Sequence, residues 1–291
     1  MKQPDFTIIT PSFGQLDHLA CCIASVADQG GVEVEHIVQD GGTKGFADFA
    51  KQMAQQWPNR NGYQRIMVSE QDGGMYDAIN RGLKRAKGKV RAYLNCDEQY
   101  LPGALKMVQD FFKNRLNVDV VLGDVIIVVK DGEAICHRKM VKPGLAHTWT
   151  CHFGALTAGI FFREKLVNEG LLFDTSYRAA SDAEWFVRVL QSGNKVEPLG
   201  KTTSTFMESG ENLGLSSIAK EERKRLDSSA PLYFRVLRPA WVLLHRARRL
   251  WSGAHRSEDV TYEIYLPKES GRKVFSAKRL RTTWPGRIFN F

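Results

Sequence analysis

The chain has 291 residues, 43% of them hydrophobic and 25% charged, ordinary values for one large globular domain with an appended segment. It lacks the run of about 18 apolar residues that would cross a membrane, and its five cysteines, with no CxxC pair, fit a reducing compartment and argue against a structural zinc site. The net charge of +9 is uneven: from Lys220 onward about 17 Lys and Arg face about 7 Asp and Glu, which leaves the preceding chain near neutral.

Phe6 to Thr10 reads as a buried strand, directly after a start with no apolar leader, so a cytoplasmic protein is expected. A helix over Leu16–Ala27, a strand over Val34–Val38, a helix over Gly45–Trp57 and a strand over Tyr63–Val68 follow. A helix over Tyr76–Ala86 ends before Gly88, and a fourth strand covers Val90–Leu94. A helix is then expected from Pro102 to Phe112, with the proline in its first turn. This β-α-β-α alternation predicts parallel strands with helices on both faces, and ligands beyond the strands' carboxyl ends. After residue 118 the pattern changes. Val118–Leu122, Val125–Val129 and Glu133–Lys139 read as short antiparallel strands with turns at Gly123-Asp124 and Asp131-Gly132. Ala158–Arg163 reads as a strand and Asp182–Ser192 as a helix.

Polar clusters follow the first four strands: Thr10-Pro11-Ser12-Phe13, Asp40-Gly41-Gly42-Thr43, Glu70-Gln71-Asp72-Gly73-Gly74 and Asn95-Cys96-Asp97-Glu98. Each alone is ordinary turn chemistry. Carboxylates gathered on one sheet edge repel, so such an edge usually serves a cation or a hydrogen-bonding ligand. Neither GxGxxG after the first strand nor GxxxxGK[ST] occurs, which excludes a dinucleotide fold and a P-loop NTPase.

The segments Thr7–Phe13, Glu35–Thr43, Ser69–Gly82 and Leu94–Glu98 resemble, in order, the successive motifs of GT-A-fold family 2 glycosyltransferases, within them the subgroup that builds bacterial surface polysaccharides. The resemblance is close over about the first 115 residues and looser to about residue 216. It implies a Rossmann-like α/β fold: a mixed, mostly parallel sheet flanked by helices, with a basic C-terminal extension. A glycosyltransferase domain would span 1–218, with a nucleotide-sugar half at 1–117 and an acceptor half at 118–218, and the extension would span 219–291. The implied activity is inverting transfer from a nucleotide-sugar, a UDP-sugar by preference, to a saccharide or lipid-linked acceptor. The alternative is a non-catalytic nucleotide- or glycan-binding protein on the same fold.

By the same resemblance Thr10, Pro11, Ser12, Asp40, Asp72 and Asn95 would hold the nucleotide, and Asp97 would bind Mg²⁺ or Mn²⁺. Glu98 stands where the family has a second Asp. Asp182 would be the general base on the acceptor; as residue types, Ser181 and Asp182 also suit the cap and first turn of a helix. Glu184 points about 200° round that helix and is the lesser candidate. His152 is either an acceptor-pocket residue, with Thr157 the other candidate for the aligned position, or an ordinary loop residue. Met207–Ser216 is either a mobile lid or a surface loop.

The helix expected from Pro239 to Trp251 sets Ala240, Trp241, Leu243, Leu244, Ala247, Leu250 and Trp251 on one arc. His245, Arg246, Arg248 and Arg249 fall on the other. It either lies on an anionic membrane, making the protein peripheral on the inner face of the plasma membrane, or docks on the catalytic domain with a solvated basic face. The neutral core carries no nucleic-acid motif, and no nucleic-acid partner is expected.

Overall fold

The computed structural model describes residues 2–208 and 216–284. Its first part alternates β1 (Phe6–Ser12), α1 (Leu16–Ala27), β2 (Val34–Asp40), α2 (Phe46–Gln56), β3 (Tyr63–Ser69), α3 (Met75–Arg85) and β4 (Val90–Tyr93). The four strands are parallel in the order β3-β2-β1-β4, and Ser12, Asp40 and Ser69 fall in register at their carboxyl ends. Every residue of β1 and β2 is buried, as central parallel strands covered on both faces require. Polar residues in these strands pair internally. His36 meets Thr10 Oγ1 at 2.9 Å and Tyr63 OH at 3.1 Å, and burial lowers its pKa to about 3, so the ring stays neutral.

The chain continues with β5 (Gln99–Tyr100), α4 (Ala104–Asn114), β6 (Val120–Val128), β7 (Ala134–Arg138), α5 (Leu145–Thr150), β8 (Ile160–Arg163), α6 (Lys165–Asn168), α7 (Ser181–Gln191) and β9 (Val196–Met207). β8 joins β4 antiparallel, and β6, β9 and β5 follow in that order; β7 pairs with the later part of β6, beyond the stretch that pairs with β8. The result is the expected mixed, mostly parallel sheet flanked by helices.

Three expectations need correction. Pro102 lies before α4, because Gly103 takes a left-handed conformation that starts the helix at Ala104. Gly123-Asp124 is not a turn: β6 runs straight through it, with shifts of register against β9. A Cβ at Gly123 would lie 2.2 Å from Thr203 Oγ1, so glycine allows the two strands to close there, and Asp124 Oδ1 accepts from Met140 N–H at 2.6 Å. β6 pairs antiparallel with β7 and β8 but parallel with β9, whose polar Thr203-Ser204-Thr205 run is nonetheless buried.

The extension comprises α8 (Ser217–Ser228), α9 (Leu232–Val236), α10 (Arg238–Trp251), β10 (Glu258–Tyr265) and β11 (Arg272–Leu280). The antiparallel β10-β11 hairpin lays Tyr262, Ile264 and Leu280 on Leu101, Ile126, Val128 and Met207. Arg272 forks onto Asp28 at 2.6 and 2.8 Å, a bidentate pair that fixes the hairpin against α1. Part of the basic charge is therefore paired within the fold, while most of it stays exposed. α10 also departs from the expected docking arrangement, in which the apolar face would meet the protein and the basic face would be solvated. Its inward face carries His245, Arg248 and buried Arg249, which donates to Lys139 O at 3.3 Å, while Leu243, Leu250 and Trp251 stand 69%, 69% and 81% exposed.

Candidate active site

The carboxyl ends of β1, β2, β3 and β4 bring the sequence-predicted donor residues to one edge, with unequal roles. Ser12 Oγ is buried at this edge with no hydrogen-bond partner among the described residues, which suits a ligand hydroxyl or phosphate. Thr10 is fully buried, its hydroxyl turned under the strand onto His36, so it acts on the site through packing alone. Pro11 is likewise buried between them.

Asp40 is committed to its own loop. Its Oδ2 accepts from Gly42 N–H (2.9 Å), Thr43 N–H (2.7 Å) and Ser69 Oγ (2.7 Å), and its Oδ1 from Thr43 Oγ1 (2.6 Å). A carboxylate has about four lone-pair sites, so any base or ribose donor would share an occupied group. Asp72 Oδ1 accepts from Gly74 N–H at 2.8 Å, and its other oxygen faces Gly41. A Cβ on Gly41 would lie 3.1 Å from Asp72 Oδ2 and 3.3 Å from Phe13 Cδ2. Phe13, 72% exposed, thus stands beside Asp72 over the Asp-Gly turn, a ring face open to a stacked base. Phe13 has no assigned role in the sequence motif; the signal for it there is a large aromatic in a polar loop.

The loop after β4 separates its two acids. Glu98 is fully buried and turns inward, accepting from Asn95 N–H (2.9 Å), Asn95 Nδ2 (3.1 Å) and Thr157 Oγ1 (3.3 Å). Burial, and secondly the charge of Asp97, raise its pKa to about 8. Asp97 is half-buried, and burial raises its pKa too. Asn95 Oδ1 is buried without a partner among the described residues. The Asp97 carboxylate and this orphaned carbonyl, two residues apart in one loop, are oxygen donors of the type hard divalent cations take, the chemistry that Mg²⁺ or Mn²⁺ would need.

Asp182 sits in the first turn of α7 but does not cap it. The N-cap is Ala180, and Glu222 of α8 accepts from Arg178, Ala179 and Ala180 N–H at 2.6, 2.9 and 2.9 Å. Asp182 Oδ1 accepts from Ala183 N–H at 2.8 Å and from Tyr76 OH at 3.3 Å, across from α3. Burial raises its pKa to about 6, against the Ala183 and Tyr76 hydrogen bonds and the Arg223 charge. A carboxylate that ionises near 6 is suited to general-base work near neutral pH. Tyr76 stacks on Phe173 at 5.7 Å, and Phe173 meets Tyr93 edge-on at 5.4 Å. Tyr93, the last residue of β4, feels the Asp182 charge, which adds to burial in raising its pKa. Through these rings Asp182 is held against the strand that leads to Asp97.

His152 follows α5, with its ring 4.6 Å from that of His147 and 5.4 Å from that of His245. Thr157 contacts Glu98, as above. Most of the Met207–Ser216 loop lies outside the described residues.

A Rossmann-like sheet whose carboxyl edge carries an Asp-Gly turn, an acidic loop after the fourth strand and a carboxylate delivered from the second half defines the GT-A class of sugar-transferring folds. The family model "Glycosyl transferase family 2" matches residues 7–167, and the chain belongs to this family; it is a glycosyltransferase. It is 29% identical over 246 residues to a PGL/p-HBAD biosynthesis glycosyltransferase of Mycobacterium tuberculosis, covering 81% of this chain and 90% of the relative. Among solved structures it resembles TarS 1–349 of S. aureus in complex with UDP-GlcNAc (TM-score 0.63, 18% identity, 86% of this chain and 75% of that one). It also resembles the mannosyltransferase PcManGT of Pyrobaculum calidifontis in complex with GDP-Man and Mn²⁺ (TM-score 0.54, 14% identity, 87% and 84%). These two likenesses establish the shared fold.

Proposed function

We propose that the enzyme is an inverting, metal-dependent transferase that moves a sugar from a nucleotide-sugar, by preference a UDP-sugar, to a glycan or lipid-linked acceptor in bacterial surface polysaccharide synthesis. One observation carries the reading: Asp182, from the acceptor half, is hydrogen-bonded to Tyr76 and packed through Phe173 and Tyr93 toward the loop that bears Asp97. Two carboxylates with different environments thus serve one edge, as a leaving-group site and a base site require. The names of the mycobacterial relative and of the nucleotide-sugar complexes support the substrate class.

In this reading Phe13 stacks on the base, and Asp72 and Ser12 Oγ bind the nucleotide. Asp40 keeps its turn in shape. Asp97 and Asn95 Oδ1 would hold Mg²⁺ or Mn²⁺, which when bound would neutralise charge on the departing diphosphate. Asp182 accepts the proton of the acceptor hydroxyl while that oxygen bonds to the anomeric carbon. The bond to the diphosphate breaks on the opposite face, and the configuration inverts. The catalytic unit is residues 1–218, divided near 117, with 219–291 as its cover and membrane contact.

The membrane contact rests on the exposed side of α9 and α10. Leu232, Tyr233, Val236, Leu237, Leu243, Leu250 and Trp251 are all exposed, and from Val236 onward they recur at helical spacing. A surface helix ordinarily buries such a stripe; here the stripe faces out and the polar side docks. Exposed Arg235, Arg246 and Arg256 lie near it in sequence, suited to anionic headgroups. A lipid-linked acceptor would then be met at its own surface.

The deciding experiment is a thermal-shift screen of UDP-, GDP- and dTDP-sugars with and without Mn²⁺, paired with a donor-hydrolysis assay. Stabilisation and slow hydrolysis by a UDP-sugar only when Mn²⁺ is present is the expected result. A panel in which no nucleotide-sugar stabilises the protein would sink the proposal.

A further inference from the structure

The geometry points to a second metal site, distinct from the donor edge, formed by His147, His152 and His245, which takes one zinc-like divalent ion and staples α10 to α5. One ligand nitrogen from each of the three rings lies within 4.8 Å of the others. In a tetrahedral complex with bonds of about 2.0–2.1 Å, ligand nitrogens sit roughly 3.4 Å apart, so closure needs small ring rotations. The His147 and His245 rings are stacked, 4.0 Å apart and 9° from parallel, so one of them must swing about its outer torsion. That torsion is broad and soft.

The rings are chemically ready. At neutral pH an ordinary imidazole is mostly uncharged and retains a lone pair for a metal. His245 Nδ1 is buried with no hydrogen-bond partner among the described residues. Arg138, Arg223, Arg248 and Arg249 face this cluster and oppose a bare cation. Their charge favours an anion, hydroxide or chloride, as the fourth ligand, and His147, His245 and Arg249 all line one shallow cavity beside the rings that has room for it. Cysteine spacing had argued against a structural zinc site. His147 and His152 stand at a spacing that zinc ligands use, but His245 is remote in sequence, and only the docking of α10 on α5 completes the set.

The site does not depend on the proposed donor chemistry, and its test is independent of turnover. Tag-free protein is dialysed against Co²⁺, then against metal-free buffer, and examined by absorption spectroscopy and metal analysis. One equivalent of retained Co²⁺ with tetrahedral d–d bands is expected. It should persist in Asp97→Asn and bind at least tenfold more weakly in His245→Asn. The exposed His152 provides a second variant, His152→Asn, should His245→Asn fail to fold. Zn²⁺ should raise the melting temperature of the parent and of Asp97→Asn but not of either histidine variant. No retained metal in the parent, or equal affinity in the folded histidine variants, overturns the site.

Discussion

Replacement of Asp182 by Asn removes the proposed base while nearly preserving its shape, since an amide oxygen still accepts from Ala183 N–H. At pH 7 a carboxyl with a pKa of about 6 is roughly 90% ionised, so the parent base is ready. Its loss should lower kcat by about 10²–10⁴, or about 2.7–5.5 kcal/mol in the barrier, with donor affinity unchanged. The reaction needs the ionised form, so kcat/KM in the parent should fall as pH drops through about 6. Tyr76→Phe tests the setting. The Tyr76 hydroxyl stabilises the ionised carboxylate through a long bond of 3.3 Å. Removing a bond at the weak end, about 0.5 kcal/mol, should raise the Asp182 pKa by about 0.4 units. The acid limb should then move up in pH by that amount, while activity at pH 8 stays near parental. The assay is a pH series of initial rates with a soluble acceptor analogue, alongside circular dichroism and melting curves. Asp182→Asn with turnover within threefold of the parent would refute the assignment, as would an acid limb indifferent to Tyr76→Phe.

Asp97→Asn should keep the fold and lose Mn²⁺-dependent stabilisation by donor, read by thermal shift; unchanged metal dependence would remove Asp97 from the site. Glu98→Gln should be tolerated within a few-fold in turnover, because a pKa of about 8 keeps this buried carboxyl largely protonated at neutral pH, whereas Glu98→Ala leaves Asn95 and Thr157 unpaired and should cost at least tenfold. Liposome flotation should find the protein on anionic vesicles with binding that weakens but persists in salt, and Leu243→Ser with Leu250→Ser and Trp251→Ser should abolish the salt-resistant part without changing transfer to a soluble acceptor; absence of the parent from the lipid fraction at low salt would refute the membrane contact.

The donor half was legible because its signals are local. Each parallel strand is a short apolar run, and each is followed by a polar loop whose place at the carboxyl edge follows from β-α-β order alone. What that order could not reveal is which way a side chain turns. Thr10 and Glu98 belong to the motif loops yet point into the core, since a one-residue change in strand alternation, or a loop held by Asn95 and Thr157, decides whether a group meets ligand or protein. Beyond residue 118 the deciding contacts are long-range. β9 is polar and carries Pro198 and Gly200, so nothing local marks it as a strand; pairing along β6 over most of its length holds it and buries Thr203, Ser204 and Thr205. The same holds for α10. Its arcs of apolar and basic residues were visible in sequence, and the docking reading assumed that the face turned to protein would be the apolar one. Instead α5 supplies histidines, and buried Arg249 finds the Lys139 and Ala254 carbonyls, so the basic arc has partners inside the fold. An amphipathic helix identifies two faces and leaves open which one the rest of the chain can satisfy. Here much of the polar face is satisfied by the protein, and Leu243, Leu250 and Trp251 of the apolar face stand exposed.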